Sequence, residues 1–476
     1  MQDHKETILR EKHSIYHLSA SARKIAIIGF AILLFVLIRN WLPLDEAINE
    51  HDAASIRTGL AILALAAVLW LTEAMPLALT AILVPVIASL TGVLDVSDSF
   101  AGFAHPLIFL FLGSFGLAAA LSKQGLDRWL AINIVSLGRG NFQLTALALF
   151  MVSAALSMWI TNTATVALLL PVALGILSNI SIHCDKSIAA RAATYLLLGI
   201  AYSASIGGMG TLIGTAPNAI AAAHLKMDFT QWLRIGLPAV MVLLPVLFIL
   251  LRLLLNPGKI PTLTVQKESF SFNGKRMLTL AIFLLTICAW LFSSHIADFF
   301  GISKSFDTII AVSAVLILSA CRLVSWKDID RATDWGILLL FGGGLTLSKI
   351  LGVTGASLYL AREIQAIATD WPIILLVGVI VLFMIFLTEL SSNTASTALL
   401  VPIFATVALD MNIPVKQLLL PLTLAASCAF MLPIATPPNA LVFSSGKIQQ
   451  RDMIRIGLVL NLVFAVILTL FARTFL

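Results

Sequence analysis

Charge is what this chain has least of. Only 11% of its 476 residues are Asp, Glu, Lys or Arg, where a soluble domain carries roughly 25%. With 59% hydrophobic residues, the composition excludes an ordinary soluble enzyme and implies a multi-span integral membrane protein. Cysteine is sparse too. Cys184, Cys288, Cys321 and Cys428 are scattered, mostly in or beside apolar segments, with no CxxC and no Cys/His metal spacing; they read as packing residues. No Gly-Lys-Ser/Thr phosphate loop occurs, which argues against ATP-driven transport. Gly208, Gly210 and Gly214 have the wrong spacing for a dinucleotide fingerprint. No loop between apolar segments exceeds about 25 residues, leaving little room for a catalytic or receptor domain. The net charge of +6 points to cytoplasmic loops of a membrane protein rather than to nucleic acid.

What is present is a repeat. Thr161-Asn162-Thr163-Ala164-Thr165 runs on to Pro171, and Ser392-Asn393-Thr394-Ala395-Ser396 runs on to Pro402, every position 231 apart. Gly214-Thr215-Ala216-Pro217-Asn218 pairs with Ala435-Thr436-Pro437-Pro438-Asn439, 221 apart. Phe111, Gly113 and Gly125 pair with Phe341, Gly343 and Gly355, 230 apart. Two copies of one unit, each with polar breaks inside apolar segments, are a plan of secondary transporters with a midplane site. The run Gly342-Gly343-Gly344 reads as close helix packing.

Eleven apolar segments read as crossings: about 24–42, 54–72, 77–95, 105–122, 187–223, 229–254, 277–297, 304–322, 333–352, 415–446 and 453–474. Nothing after Ile25–Ile38 resembles a cleavage site, so that segment reads as the first span and not a signal peptide. Segments 187–223 and 415–446 exceed one straight span and carry breaks at Gly207–Asn218 and Pro433–Asn439. Segments 142–182 and 372–409 read as re-entrant helical hairpins with the Asn-Thr peptide at the tip. The expected organisation is a cytoplasmic tail (1–23), a first span with external loop (24–53), repeat one (54–254), a cytoplasmic linker (255–276) and repeat two (277–476).

Charges fit this reading. With the N-terminus inside, the cytoplasmic segments hold Lys5, Arg10, Lys12, Arg23 and Lys24, then Lys123, Arg128 and Arg139, Lys186 and Arg191, Arg252 to Arg276, Arg322 to Arg331, and Lys447 to Arg455. The opposite loops hold Asp45, Glu46, Glu50, Asp52, Asp95, Asp98, Asp298, Glu363, Asp370 and Asp410, with few basic residues, Lys304 among them. Cytoplasmic loops are the basic ones in membrane proteins. Ordinary spans in place of the hairpins would flip the sign after each one. Five crossings per repeat make the repeats inverted and put the C-terminus outside.

Polar backbone at membrane depth survives only where it lines a cavity or is buried in protein. Helix N-termini at the breaks suit a carboxylate. Hydroxyls, amide oxygens and free carbonyls suit a hard cation such as Na⁺. Ser157 lies four residues before Thr161, and Thr388 four before Ser392, which puts each pair of hydroxyls on one helix face below the tip. Segments 142–182, 192–223 and 417–446 contain no charged residue, and 372–409 contains only Glu389. Burying an uncompensated carboxylate costs on the order of 20 kcal/mol in the Born limit. A neutral anion site therefore calls for mobile cations beside the anion. Glu389 reads either as a proton relay or as a structural acceptor; Glu73 is the other carboxylate at a span end.

These motifs resemble the divalent anion/sodium symporter family, sodium–dicarboxylate transporters whose signature is Ser-Asn-Thr at two hairpin tips. Ser392-Asn393-Thr394 matches and Thr161-Asn162-Thr163 departs by one methyl group; Ser205 to Thr211 and Met431 to Asn439 are similar as well. The resemblance covers about residues 54–474. It implies one sodium on Ser157, Thr161, Asn162 and the Gly210 carbonyl. It implies another on Thr388, Asn393 and the carbonyls of Ser391 and Ala435. A dicarboxylate would contact Asn162, Thr163, Asn393, Thr394, Thr436 and Pro437. Family members are homodimers that work by an elevator motion in the plasma (inner) membrane, and a third co-transported sodium is implied by resemblance alone. The expected function is sodium-coupled symport of succinate, malate or fumarate. The alternatives are sodium-independent di- or tricarboxylate exchange and, from another class, a membrane enzyme or carboxylate receptor.

Overall fold

The structure is a computed structural model that describes residues 2–44, 52–136, 140–258, 260, 273–302, 305–368 and 370–475. The expected charges Asp45, Glu46, Glu50, Arg139, Lys259, Lys267 and Lys304, and residues 261–272 of the expected linker, lie outside the described residues.

Helices make up the chain, with no strand among the described residues. After α1 (Gln2–Trp41) the first half runs α2 (Ala53–Thr72), α3 (Leu77–Leu90), α4 (Val96–Phe100), α5 (Pro106–Lys123), α6 (Leu126–Ser136), α7 (Phe142–Ser157), α8 (Asn162–His183), α9 (Lys186–Gly208), α10 (Ala216–Leu225) and α11 (Phe229–Leu255). The second half runs α12 (Gly274–Leu291), α13 (Ser293–Phe300), α14 (Phe306–Ala320), α15 (Trp326–Ala332), α16 (Trp335–Val353), α17 (Ala356–Ala368), α18 (Ile373–Leu390), α19 (Asn393–Asp410), α20 (Val415–Ala426), α21 (Pro437–Ser444) and α22 (Gln450–Phe471). Short 3₁₀ turns cover Ala101–Ala104 and Ala472–Phe475.

Ten helical stretches among the described residues are long and apolar enough to cross a membrane. That number and the expected eleven count different things. The ten include three hairpin arms (Asn162–Ile182, Ile373–Leu390 and Asn393–Asp410) and omit four helices of expected crossings, α9 and the shorter α3, α14 and α20. The polar N-terminal stretch and the first span form one helix, α1. The two overlong segments are broken as expected, into α9 and α10 and into α20 and α21. The second break begins earlier than the Pro433 signal, because α20 already ends at Ala426.

The two halves pack on each other by exchanging equivalent elements. α3 packs on α16 and α5 on α14; α10 packs on α19 and α21 on α8. Close approach makes the exchange atomic. A Cβ on Gly113 would sit 2.9 Å or less from Ala311 backbone atoms, and one on Gly343 would meet the Ala81 backbone at 2.6 and 2.7 Å. Gly113 and Gly343 are counterparts, and so are Ala81 and Ala311, both at offset 230. Only glycine permits such contact, so the Gly342–Gly344 run packs helices as expected. Gly342 faces Phe103, Gly343 faces Ala81 and Gly344 faces Ala398.

Ion pairs repeat the exchange at the rim. Lys123 pairs with Asp328 and Lys349 with Asp98, and Asp98 and Asp328 are again counterparts at 230. The Lys123 ammonium, helped by Ser325, holds the Asp328 carboxyl well below the usual carboxylate range. Both pairs are partly exposed, so each adds little stability; they fix where the short helices α4 and α15 sit.

Candidate functional site

Each Asn-Thr peptide is a break between two helices that pack on the same following helix. α7 and α8 both pack on α9, and α18 and α19 both pack on α20. The breaks are Met158–Thr161 and Ser391–Ser392. Thr161 and Ser392 have extended backbones and cap α8 and α19, their hydroxyls accepting from the Ala164 and Ala395 amides. Such caps are worth about 1 kcal/mol. They also fix the N-termini of the second arms, where free N–H groups and the helix dipole favour an anion.

One turn below each tip, the expected hydroxyl meets the expected amide. Ser157 Oγ donates to Asn162 Oδ1, and Thr388 Oγ1 donates to Asn393 Oδ1. Ser157 and Thr388 are fully buried, whereas Asn162, Thr163, Asn393 and Thr394 are half-buried. Thr388 Oγ1 also reaches the Ala426 carbonyl at 3.0 Å, at the end of α20. Ser391, buried, bonds Ser396 Oγ at 2.6 Å and so braces its own tip.

The unwound segments carry a second repeated pattern that the sequence reading did not assign. Asn218 Nδ2 donates to the carbonyls of Gly208 (2.8 Å) and Thr211 (2.7 Å). Asn439 Nδ2 donates to those of Ala429 (2.8 Å) and Leu432 (3.1 Å). All three positions shift by 221 between copies. Each Asn sits in the first turn of the helix after the break and ties that turn back across the unwound chain. Gly208 lies directly beneath the first tip: a Cβ there would come 2.6 Å from Asn162 Oδ1. Ala435 donates its amide to Leu432 O at 3.2 Å, so the expected carbonyl ligand stands on the segment Asn439 pins. Gly210 sits in the matching segment with its amide on Gly207 O at 2.9 Å. Thr436 caps α21 by accepting the Asn439 amide at 3.3 Å, and Pro437 follows it, exposed.

Gly236 and Gly457 were missed as well. They are counterparts on α11 and α22, and each brings its helix against an unwound segment. A Cβ on Gly236 would lie 2.4 Å from Met209 O, and one on Gly457 would lie 2.3 Å from Phe430 O. A polar–apolar alternation on a long helix gives no hint of this; only the 221 offset links the two glycines.

Glu389 behaves as an acceptor. Its carboxylate takes the Met431 amide at 2.7 Å, the Leu432 amide at 3.0 Å and Asn461 Nδ2 at 2.7 Å. Of the two readings of this residue, the geometry matches the structural one. Tyr202 of α9 links the halves: its hydroxyl donates to Phe430 O at 2.6 Å, with ring centroids 4.7 Å apart. With α10 on α19 and α21 on α8, each broken helix abuts the arm that starts at the opposite tip. Asn162, Thr163, Gly210, Thr436 and Pro437 thus belong to one contiguous set of elements with Asn393, Thr394, Ser391 and Ala435.

A double break, a doubled hydroxyl–amide pair and neutral walls describe a transporter, and comparison with known proteins gives the lineage. The sequence profile of the sodium:sulfate symporter transmembrane region matches residues 23–476. The chain belongs to this family, the divalent anion/sodium symporters. It is 45% identical to an uncharacterized transporter of Haemophilus influenzae, covering 92% of this chain and 94% of that one. It is 34% identical to the sodium-dependent dicarboxylate transporter SdcS of Staphylococcus saprophyticus, covering 84% and 82%. In fold it is similar to the YdaH transporter of Alcanivorax borkumensis, with TM-score 0.60 and 16% identity over 95% of this chain and 97% of that one. MtrF of Neisseria gonorrhoeae is similar too, with TM-score 0.58 and 12% identity over 95% and 94%. This symporter-family member is therefore a multi-pass membrane protein and a secondary transporter, not an enzyme.

Proposed function

We propose that the protein is a sodium-coupled symporter of C4-dicarboxylates such as succinate, malate and fumarate. The observation that carries this reading is the twice-built oxygen pair, Ser157 with Asn162 and Thr388 with Asn393, set in walls without a fixed cation. Two oxygens close enough to share one proton are close enough to share one cation. The first sodium is assigned to Ser157, Thr161, Asn162 and the Gly210 carbonyl. The second is assigned to Thr388, Asn393 and the carbonyls of Ser391 and Ala435. The dicarboxylate is assigned to Asn162, Thr163, Asn393, Thr394, Thr436 and Pro437, where amide and hydroxyl donors and helix N-termini meet. The 34% identical SdcS, named as a sodium-dependent dicarboxylate transporter, supports the substrate class. The inverted arrangement of the repeats, elevator motion, homodimeric assembly, two or more co-transported Na⁺ and placement in the plasma membrane complete the proposal.

Uptake of radiolabelled succinate, citrate and sulfate into proteoliposomes, with Na⁺ or with choline, tests it. Succinate should be preferred, and uptake should need Na⁺ with a Hill coefficient above one. Undiminished succinate transport in choline would make the protein an exchanger and refute the assignment of the two cages.

A further inference from the structure

The hairpins and broken helices pack on one another and form a site body: α7 and α8 on α9, α9 on α11, α18 and α19 on α20, α20 on α22, with α10 on α19 and α21 on α8. A frame is formed by α3 on α16, α5 on α14 and α12 on α14. One joint between body and frame is made of rings. Trp159, at the break before the first tip, stacks on Trp290 of α12 (ring centroids 6.4 Å apart, planes at 9°) and meets Phe283 of α12 edge-on at 5.5 Å. Phe229, which opens α11, stacks on Trp290 at 4.8 Å. The Phe229 amide donates to Asp307 Oδ2 at 2.8 Å, and Thr230 Oγ1 donates to the Trp290 carbonyl at 2.9 Å.

The repeat shows what copy two has in the same places. Ala61, Ile62, Leu65 and Trp70 are counterparts of Ala281, Ile282, Leu285 and Trp290, 220 apart. Local geometry agrees: Trp70 Nε1 donates to Leu77 O as Trp290 Nε1 donates to Asp307 O, and Leu77 and Asp307 are 230 apart. At these offsets, and at the 231 and 221 of the site, Trp159 becomes Leu390, Phe283 becomes Leu63, Phe229 becomes Gln450, Thr230 becomes Arg451 and Asp307 becomes Leu77. Only Trp290 keeps its ring, as Trp70. Phe229 and Trp290 are fully buried, whereas Leu390 is 72% exposed.

We propose that this aromatic joint is a one-sided clasp, which holds the empty protein in the arrangement seen here and makes that arrangement the resting state. The inference rests on the elevator reading above, in which the site body moves against the frame. Such a motion has to part Trp159 and Phe229 from α12, because the rings belong to different bodies. It also separates the Phe229 amide, a helix-start donor without an intrahelical partner, from the Asp307 carboxyl. Aromatic pairs contribute beyond the area they bury, each by roughly two- to tenfold in an equilibrium constant. Trp159 supplies the pairs with Trp290 and Phe283, so its ring alone favours the closed joint by roughly tenfold. An arrangement closed on copy two has no equal clasp. Leu390 and Leu63 bring no ring, Gln450 stands in place of Phe229, and Leu77 has no side-chain acceptor.

The test is the distance between one spin label on each body, measured by pulsed electron–electron resonance on the full chain in proteoliposomes, with choline in place of Na⁺. The labels go on Leu409→Cys of α19 and Phe299→Cys of α13, both exposed positions, with Cys184, Cys288 and Cys321 changed to Ser. Without further substitution, the empty protein should show one dominant distance, that of this structure. Trp159→Leu installs the copy-two residue and should shift the ratio of a second distance to the first by roughly tenfold. Phe283→Leu removes one ring pair and should shift it the same way by about threefold. Tyr202→Phe removes a hydrogen bond that lies wholly within the site body and should leave the ratio unchanged. A ratio within twofold of the parent in Trp159→Leu, or in Phe283→Leu should the first variant not fold, overturns the proposal, as does an equal shift by Tyr202→Phe. The elevator reading fails differently: the parent would then show a single distance both empty and with saturating Na⁺ and succinate.

Discussion

Replacing Asn439 by Ala removes two hydrogen bonds at once and should separate the unwound segment from the helix that follows it. The Nδ2 group donates to the carbonyls of Ala429 and Leu432, and Asn439 is fully buried. Leu432 O keeps the Ala435 amide, so Ala429 O is the acceptor left unpaired; a buried unpaired acceptor costs about 1–3 kcal/mol, and the variant should lose roughly that much, with the lower end applying if water enters the space left. The Asn439 amide remains on Thr436 Oγ1, so the helix cap survives and the effect belongs to the side chain. Leu432 O also receives the Ala435 amide, and a loosened Leu432 moves the carbonyl assigned to the second sodium. Thermal unfolding in detergent should therefore drop, and half-maximal uptake should need more Na⁺. Asn439→Asp sharpens the point. It has the same shape but sets carboxylate oxygens against two carbonyl oxygens, and should be worse than Ala. Asn218→Ala should do the same to the first segment, through Gly208 and Thr211. An Asn439→Asp protein as stable as wild type, with unchanged sodium dependence, would refute the pinning role.

Two further outcomes follow from the tips and from the charges. Thr161→Ser keeps the oxygen that caps Ala164 and should retain sodium-dependent uptake; Thr161→Val loses the cap, worth about 1 kcal/mol, and the assigned ligand, and equal uptake by the two variants would remove Thr161 from the site. Reporter fusions after Lys267 and after Leu476 should report opposite faces, the first cytoplasmic, and agreement between them would sink the inverted arrangement.

Much of the architecture was readable because the repeat is long and its breaks are polar. Asn162 and Asn393 stand out in apolar segments, and both turn out to sit at helix starts next to a buried hydroxyl. The break at Gly207–Asn218 was legible from its glycines and Pro217, and the helix stops there after Gly208. The second break was placed several residues late. Ser427 to Leu432 contains no proline or glycine; what unwinds it is tertiary, namely Glu389 gripping two amides and Asn439 gripping two carbonyls. Asn461 was invisible for a similar reason. It is the single polar residue between Arg455 and Thr469 of a long helix, and its meaning depends on a carboxylate 72 residues away. The exchange of Gly113 with Ala311 and Gly343 with Ala81 could be suspected from the 230 offset, but which residue each glycine meets is set by packing between halves.

Neutral walls have an energetic consequence for coupling. On the proposed reading, a dianion entering this site meets amides, hydroxyls and helix ends but no Lys or Arg among Phe142–Ile182, Ala192–Ala223 or Gln417–Gly446. Its charge is then offset mainly by whatever cations sit in the two cages. Linkage makes that dependence mutual: if sodium raises affinity for the anion by some factor, the anion raises affinity for sodium by the same factor. A fixed cation would have weakened the link, because it would neutralise substrate whether or not sodium was bound. Tight coupling therefore comes as much from the charges this chain leaves out of the site as from the oxygens it puts in.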